Sequence, residues 1–166
     1  SSDTVYKGIE ISDYIYAKDN GTNADGNPAG SWIVGGPADQ WHFTTRFEMY
    51  ANEYLYSLRT YISDESVVGA EIKAVVYEVD TTISSADGGV ILLDESDNYI
   101  ITAQDLGAWV DIVFSSPVDL YNGYAYEAGI AGFVHPTDSA FIGTSGQSMY
   151  NGEHSVFDEF GLNPND

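Results

Sequence analysis

The sequence predicts an all-β domain: a jelly-roll-like β-sandwich of roughly eight to ten mostly antiparallel strands, with residues 1–166 forming one unit. Three observations carry this prediction. Several segments alternate apolar and polar residues with a period of two, the signature of a strand with one buried face. Val, Ile, Tyr, Phe and Thr dominate the apolar stretches, and Tyr alone occurs 13 times. Such residues suit a pleated surface and lose rotamer freedom in a helix. Clusters of Gly, Asn, Asp and Ser break the chain at short intervals. No internal repeat or shift of composition marks a second domain.

In chain order, residues 5–17 hold short strand-like pieces. Residues 18–31 read as a polar loop, with turns at Asn20-Gly21 and Asp25-Gly26. A brief strand over 32–35 precedes a Gly35-Gly36-Pro37 turn. Next, Trp41, Phe43, Thr45, Phe47 and Met49 fall on one face of a strand. His42, Thr44, Arg46, Glu48 and Tyr50 fall on the other. A helical spacing of Phe47, Tyr50, Tyr54 and Leu58 competes here, but the β-favouring neighbours favour a strand pair. The link Ala51-Asn52-Glu53 is short enough for a hairpin to a strand over 54–62. An acidic turn at 63–69 leads to the strongest strand pattern, over 70–79. A Ser/Asp/Gly loop at 80–89 follows, then strands over 90–93, 98–102 and 109–114. Pro117 is expected to break the ladder. A long strand with two glycines covers 124–134, and a short one covers 141–143.

Composition excludes several partners. Five Lys plus Arg against 26 Asp plus Glu leave a net charge of −21. A nucleic-acid backbone or an anionic membrane surface would be repelled. The aromatic content of 14% argues against disorder, the other reading of so acidic a chain. With no Cys, disulfides, thiol nucleophiles and thiolate metal sites are ruled out. No transmembrane run is visible, so membrane insertion is not expected. The first and last residues read as the ends of a fragment of a larger secreted protein, whose other domains would be partners in the same chain.

The segments 71-EIKAVVYEVD-80, 91-ILLDESDNYIIT-102, 109-WVDIVF-114 and 117-PVDLYNGYAYEAGI-130 carry a resemblance. A strand ending in Val-Tyr is followed by a Trp-x-x-Ile/Val-x-Phe strand. A Pro-Val-x-Leu hairpin then turns at Gly123. The pattern resembles jelly-roll modules of secreted or cell-surface multidomain bacterial proteins, such as those of Bacteroidetes. It covers about residues 70–145 and mostly encodes fold. What it implies is a diverse set: adhesin pieces, carbohydrate-binding accessory domains and structural spacers.

The loop at 19–27 is the candidate calcium site. Asp19, Asn23, Asp25 and Asn27 offer hard oxygens around Gly26, in the manner of a glycine-pinched calcium loop. Measured as an EF-hand, the loop would have Gly21 at its first position and Trp32 at its twelfth, which breaks the motif. An ordinary Asx-rich turn is the competing account. Asp94-Glu95-Ser96-Asp97 is a weaker acidic cluster. Trp32, Trp41 and Tyr50 are the candidate ligand-binding aromatics, because a flat ring beside polar groups stacks on sugar rings. Trp109 is assigned to the core. His42, His135 and His154 lack metalloprotease spacing, and Gly143-Thr144-Ser145-Gly146 is not a nucleophile elbow.

The leading expectation is a non-catalytic extracellular binding or adhesion module. Its ligand would be a glycan or a surface protein, with a calcium-stabilised loop. Such a module needs an exposed aromatic with polar neighbours in a shallow groove. A structural spacer or protein-interaction domain is the alternative, with a smooth acidic surface. A glycoside-active enzyme comes third, since among 26 carboxylates any pair would serve as a candidate.

Overall fold

Nested antiparallel pairs organise the chain. In the computed structural model, which describes residues 27–37, 40–79 and 89–144 and the backbone of 154–158, β1 (Gly30–Gly35) pairs β9 (Ala140–Thr144). Inside that pair, β2 (Trp41–Glu48) pairs β8 (Ala125–Gly132), and β3 (Glu53–Ile62) pairs β7 (Ala108–Leu120). Innermost, β4 (Glu71–Val79) pairs β5 (Val90–Glu95) and the short β6 (Tyr99–Ile100). β10 (His154–Asp158) adds to β2.

The result is one long hairpin rolled into two sheets. One sheet runs β1-β9-β3-β7 and the other β10-β2-β8-β4-β5, with β6 on β4. This is the jelly-roll arrangement, and every strand pairing is antiparallel. The sequence-level fold class therefore holds. No helix among the described residues is long and apolar enough to cross a membrane.

The core lies between the sheets. Ile62, Ile112, Phe114 and Ile142 face it from one side, and Ile72, Ala74, Val76, Tyr126 and Ile130 from the other. Phe43 packs against it from β2, and Met49 closes one end. These are the alternating positions that the period-two reading selects. Removing such side chains from water is the main favourable term in folding.

Three sequence expectations need correction. The short link after β2 closes no hairpin, because β2 and β3 lie in different sheets. The Met49 N–H donates to the Tyr124 carbonyl at 2.9 Å, and the Gly123 N–H donates to the Met49 carbonyl at 2.8 Å. These bonds tie the β2–β3 link to the β7–β8 link rather than folding it back on itself. The turn at Gly123, where φ is 85°, likewise carries the chain from one sheet to the other.

Nor does Pro117 end its strand. β7 runs through to Leu120, because the register slips where the proline sits: Val113 faces Ser57, and Val118 faces Leu55. β7 is also an edge strand, where a missing N–H costs the ladder least. Finally, the first half of β2 is covered on the face away from the core as well. His42 is 8% and Thr44 0% exposed, on the side away from the core. The neighbouring Val75, Glu127 and Ala131 are also buried on that side. Close strand packing there depends on Gly129, where a Cβ would lie 2.0 Å from the Phe43 carbonyl oxygen.

Candidate functional site

The outer face of the β1-β9-β3-β7 sheet carries an aromatic and polar row. Along β3, Leu58, Thr60 and Ile62 point inward, so Ser57, Arg59 and Tyr61 point outward. Along β7, Ala108, Val110 and Ile112 pair with those inward residues, which places Trp109, Asp111 and Val113 outside. Tyr61 and Trp109 are direct cross-strand partners. Their ring centroids are 5.5 Å apart with planes at 74°, an edge-to-face contact. Trp109 remains 42% exposed. One position along, Arg59 grips Asp111 in a two-pronged ion pair, Nε to Oδ1 at 2.7 Å and Nη2 to Oδ2 at 2.8 Å. The hydrogen bond and charge of Asp111 raise the Arg59 pKa, and the hydrogen bond from Arg59 holds the Asp111 carboxyl below its ordinary value.

Register continues the row across the sheet. Ile62 faces Ile142 and Ser31 faces Gly143, so Trp109, Tyr61, Gly143 and Ser31 lie in line on four adjacent strands. Four strands span about 14 Å. Pro28 and Tyr61 close over Gly143, where a Cβ would meet Pro28 Cγ at 2.5 Å and Tyr61 Cβ at 2.9 Å. Beside this ridge opens a cleft of about 310 Å³, lined by Asn27, Pro28, Ser31, Tyr61, Asp64 and Glu65 among others. Ser31 donates its hydroxyl to Glu65 Oε2 at 2.5 Å, and the Glu65 N–H donates to Ser63 Oγ at 3.2 Å. Apolar ring faces thus adjoin hydroxyl, amide and carboxylate groups, the mixture that recognises polyhydroxylated rings.

The residues singled out from sequence are not gathered in one place. Trp32 sits on the inner side of edge strand β1, opposite Ile142, and stacks on Phe43 with centroids 6.4 Å apart. About half of it is exposed. Trp41 opens β2, is half-buried and shares the core-side face of Phe43. Tyr50 follows the other end of β2 and is exposed, its hydroxyl donating to Glu48 Oε2 at 3.1 Å. Of the calcium candidates, Asn27 lines the cleft. Asp19, Asn23 and Asp25 lie outside the described residues. Among the described residues no three His, Asp or Glu side chains gather to hold a metal ion. In the 94–97 cluster, Glu95 accepts from Lys73 Nζ at 2.6 Å, and Ser96 Oγ accepts the Ala74 N–H at 2.9 Å. Those contacts fix the β4–β5 edge.

Two further polar groupings serve the fold. On the outer face of the second sheet, His42 Nδ1 hydrogen-bonds the Tyr77 hydroxyl, and Thr44 donates to Glu127 at 3.0 Å. A second cleft of about 290 Å³ is lined partly by Glu71, His135 and Asp138. There His135 Nδ1 accepts the Asp138 N–H at 3.0 Å and closes a tight turn. His154 lies in β10.

Trp109 overturns its core assignment. The correct signal was available locally: in WVDIVF, Asp111 and Val113 share the Trp109 face, while Val110, Ile112 and Phe114 form the apolar one. The charge on the tryptophan's own face marks it as the solvent side. Ser31 gave no such signal, because only the pairing of β1 with β9 and of β9 with β3 brings it to Tyr61 and the acidic turn of Asp64 and Glu65. Comparison with known proteins finds no matching family model, no matching curated protein and no matching solved structure.

Proposed function

We propose that this domain is a non-catalytic, extracellular binding module that takes a glycan on the outer face of its four-stranded sheet. The observation that carries the reading is the exposed Trp109, braced edge-to-face by Tyr61 and adjoining the polar cleft of Asn27, Ser31 and Glu65. A ring held in place by a neighbour loses little freedom when a sugar stacks on it. The acidic surface and the jelly-roll architecture fit a soluble module of a secreted or surface protein. That part rests on fold analogy. Calcium at the 19–27 loop belongs to the same proposal, with Asn27 at the cleft as its structural link.

A protein-interaction role is the second reading. Tyr50, Tyr54, Tyr121 and Tyr124 are all exposed, and the bonds joining the β2–β3 and β7–β8 links bring them to one end of the sandwich. Tyrosines give large contact area at low rotamer cost.

A glycan array followed by titration calorimetry tests the first reading. The expected result is binding that falls about tenfold or more in Trp109→Ala, the size of an interface hot spot. In Trp32→Ala it is retained. Absence of any glycan ligand, or wild-type affinity in Trp109→Ala, would sink it. A ligand lost in Tyr50→Ala and Tyr124→Ala instead would favour the second reading. Specific calcium binding must raise the melting midpoint at matched ionic strength.

A further inference from the structure

The charges around the Trp109 face restrict which glycan it would take. Resting on the proposed glycan-binding role, we infer that the ligand class is an uncharged polysaccharide, taken as a single chain lying across the strands, and that acidic polysaccharides are rejected.

A sugar carboxylate or sulfate needs a cation with donors to spare. Lys and Arg among the described residues are Arg46, Arg59 and Lys73. Arg46 and Lys73 belong to the outer face of the other sheet, in register with Glu127 and Ala131. Arg59 is on the correct face, but Asp111 balances its charge through a two-pronged ion pair, so that spot carries no excess positive charge. Asp64 and Glu65 line the cleft itself, and both are exposed. An anionic chain entering there meets carboxylates within a molecule of net charge −21. Like-charge juxtaposition at an interface is strongly unfavourable. Hydroxyl groups meet no such barrier, since the same carboxylates accept hydrogen bonds from them.

Ring planes at 74° cannot both lie flat against one planar surface, so the stacked sheets of a crystalline polysaccharide would engage a single ring. A separate chain can stack on Trp109, pass Tyr61 and cross the ridge that Pro28 and Tyr61 form over Gly143, to reach the cleft beside it. That course runs across the strands, along about 14 Å of surface.

The experiment is titration of the full chain with soluble oligosaccharides of glucose, xylose, mannose and N-acetylglucosamine, beside oligogalacturonate and heparin fragments. It is paired with pull-down on microcrystalline cellulose and chitin powder. Each arm is run at low salt and at about 0.15 M salt, where exposed charges are screened beyond roughly 8 Å. At least one neutral oligosaccharide should bind, with affinity that changes less than about threefold with salt and falls about tenfold or more in Trp109→Ala. Acidic oligosaccharides should not bind wild type. The double variant Asp64→Lys, Glu65→Lys should acquire salt-sensitive affinity for oligogalacturonate.

Acidic oligosaccharides bound by wild type through Trp109 would overturn the inference and leave the glycan reading standing. Crystalline polysaccharide bound as well as the soluble chain would overturn the single-chain assignment in the same way. No binding in any arm would remove both.

Discussion

Thr44 donates its hydroxyl hydrogen to the Glu127 carboxylate across 3.0 Å, and neither residue is more than 6% exposed. The two lie diagonally on adjacent strands of the second sheet, since Thr44 faces Gly129. Removing this donor deletes a hydrogen bond to a buried charged group, which is the stronger kind of hydrogen bond. Thr44→Val should therefore cost about 1–3 kcal/mol of unfolding free energy. Thr44→Ser, which retains the hydroxyl, should cost less. Urea unfolding of the two variants separates these outcomes, and equal losses would show that packing rather than the hydrogen bond matters.

Gly129 permits the approach of β2 to β8. A Cβ there would sit 2.0 Å from the Phe43 carbonyl oxygen and 2.5 Å from Thr44 Cα, both backbone atoms with no rotamer to escape into. Gly129→Ala should destabilise by about 3 kcal/mol or more, or prevent folding. Gly123→Ala meets open space and carries only the strain of its φ of 85°, for a cost of about 1 kcal/mol. Melting midpoints should rank the two variants in that order.

Tyr126 ends in a structural hydrogen bond. Its ring is buried in the core, and its hydroxyl accepts the Tyr121 N–H at 2.9 Å, anchoring the β7–β8 turn. Tyr126→Phe keeps the packing and removes that acceptor. The expected loss is about 1 kcal/mol, with faster amide exchange at 121–124 as the local readout.

Acid should uncover the Asp105 turn. Burial raises the Asp105 pKa, but hydrogen bonds from the Thr102 hydroxyl and N–H and from Tyr99 outweigh it, leaving the net value below 3.8. A carboxyl with a depressed folded-state pKa contributes stability above its unfolded value and loses it as pH falls through the folded one. Asp105→Asn should therefore be less stable than wild type near neutrality. The difference should shrink as pH drops below 3.8. Unfolding free energies of both proteins along a pH series check the sign. The exposed Asp111 follows the same direction, and its pair with Arg59 contributes at most about 1 kcal/mol.

Trp109 and Trp32 should respond differently to truncation. Trp109→Ala removes a ring 42% exposed that packs edge-to-face on Tyr61, so the melting midpoint should fall modestly while glycan binding is lost. Trp32→Ala removes a ring 49% exposed that stacks on Phe43, so it should lower the midpoint by a similar amount without touching glycan binding. A crossed pattern in calorimetry would reassign the site to the sandwich edge.

The sequence by itself determined the class of fold and most of the strands. Alternation over Trp41–Met49 and Glu71–Val79, with turn residues at 63–69 and 121–123, needs only local geometry to read. Connectivity was decided by tertiary structure. Ala51-Asn52-Glu53 is as short as a hairpin link, and nothing local reveals that the Met49 backbone bonds the Gly123–Tyr124 turn more than 70 residues away. Pro117 was misread for a similar reason, since its tolerance depends on lying at a register slip in an edge strand. Trp109 was half legible: Asp111 on its face identified the solvent side, but only pairing with β3 supplied Tyr61 as its brace. Side-chain alternation is a property of one strand and is written in its residues. The row from Trp109 to Ser31 is a property of four strands in register, and register across a sheet is fixed by the burial of all of them together.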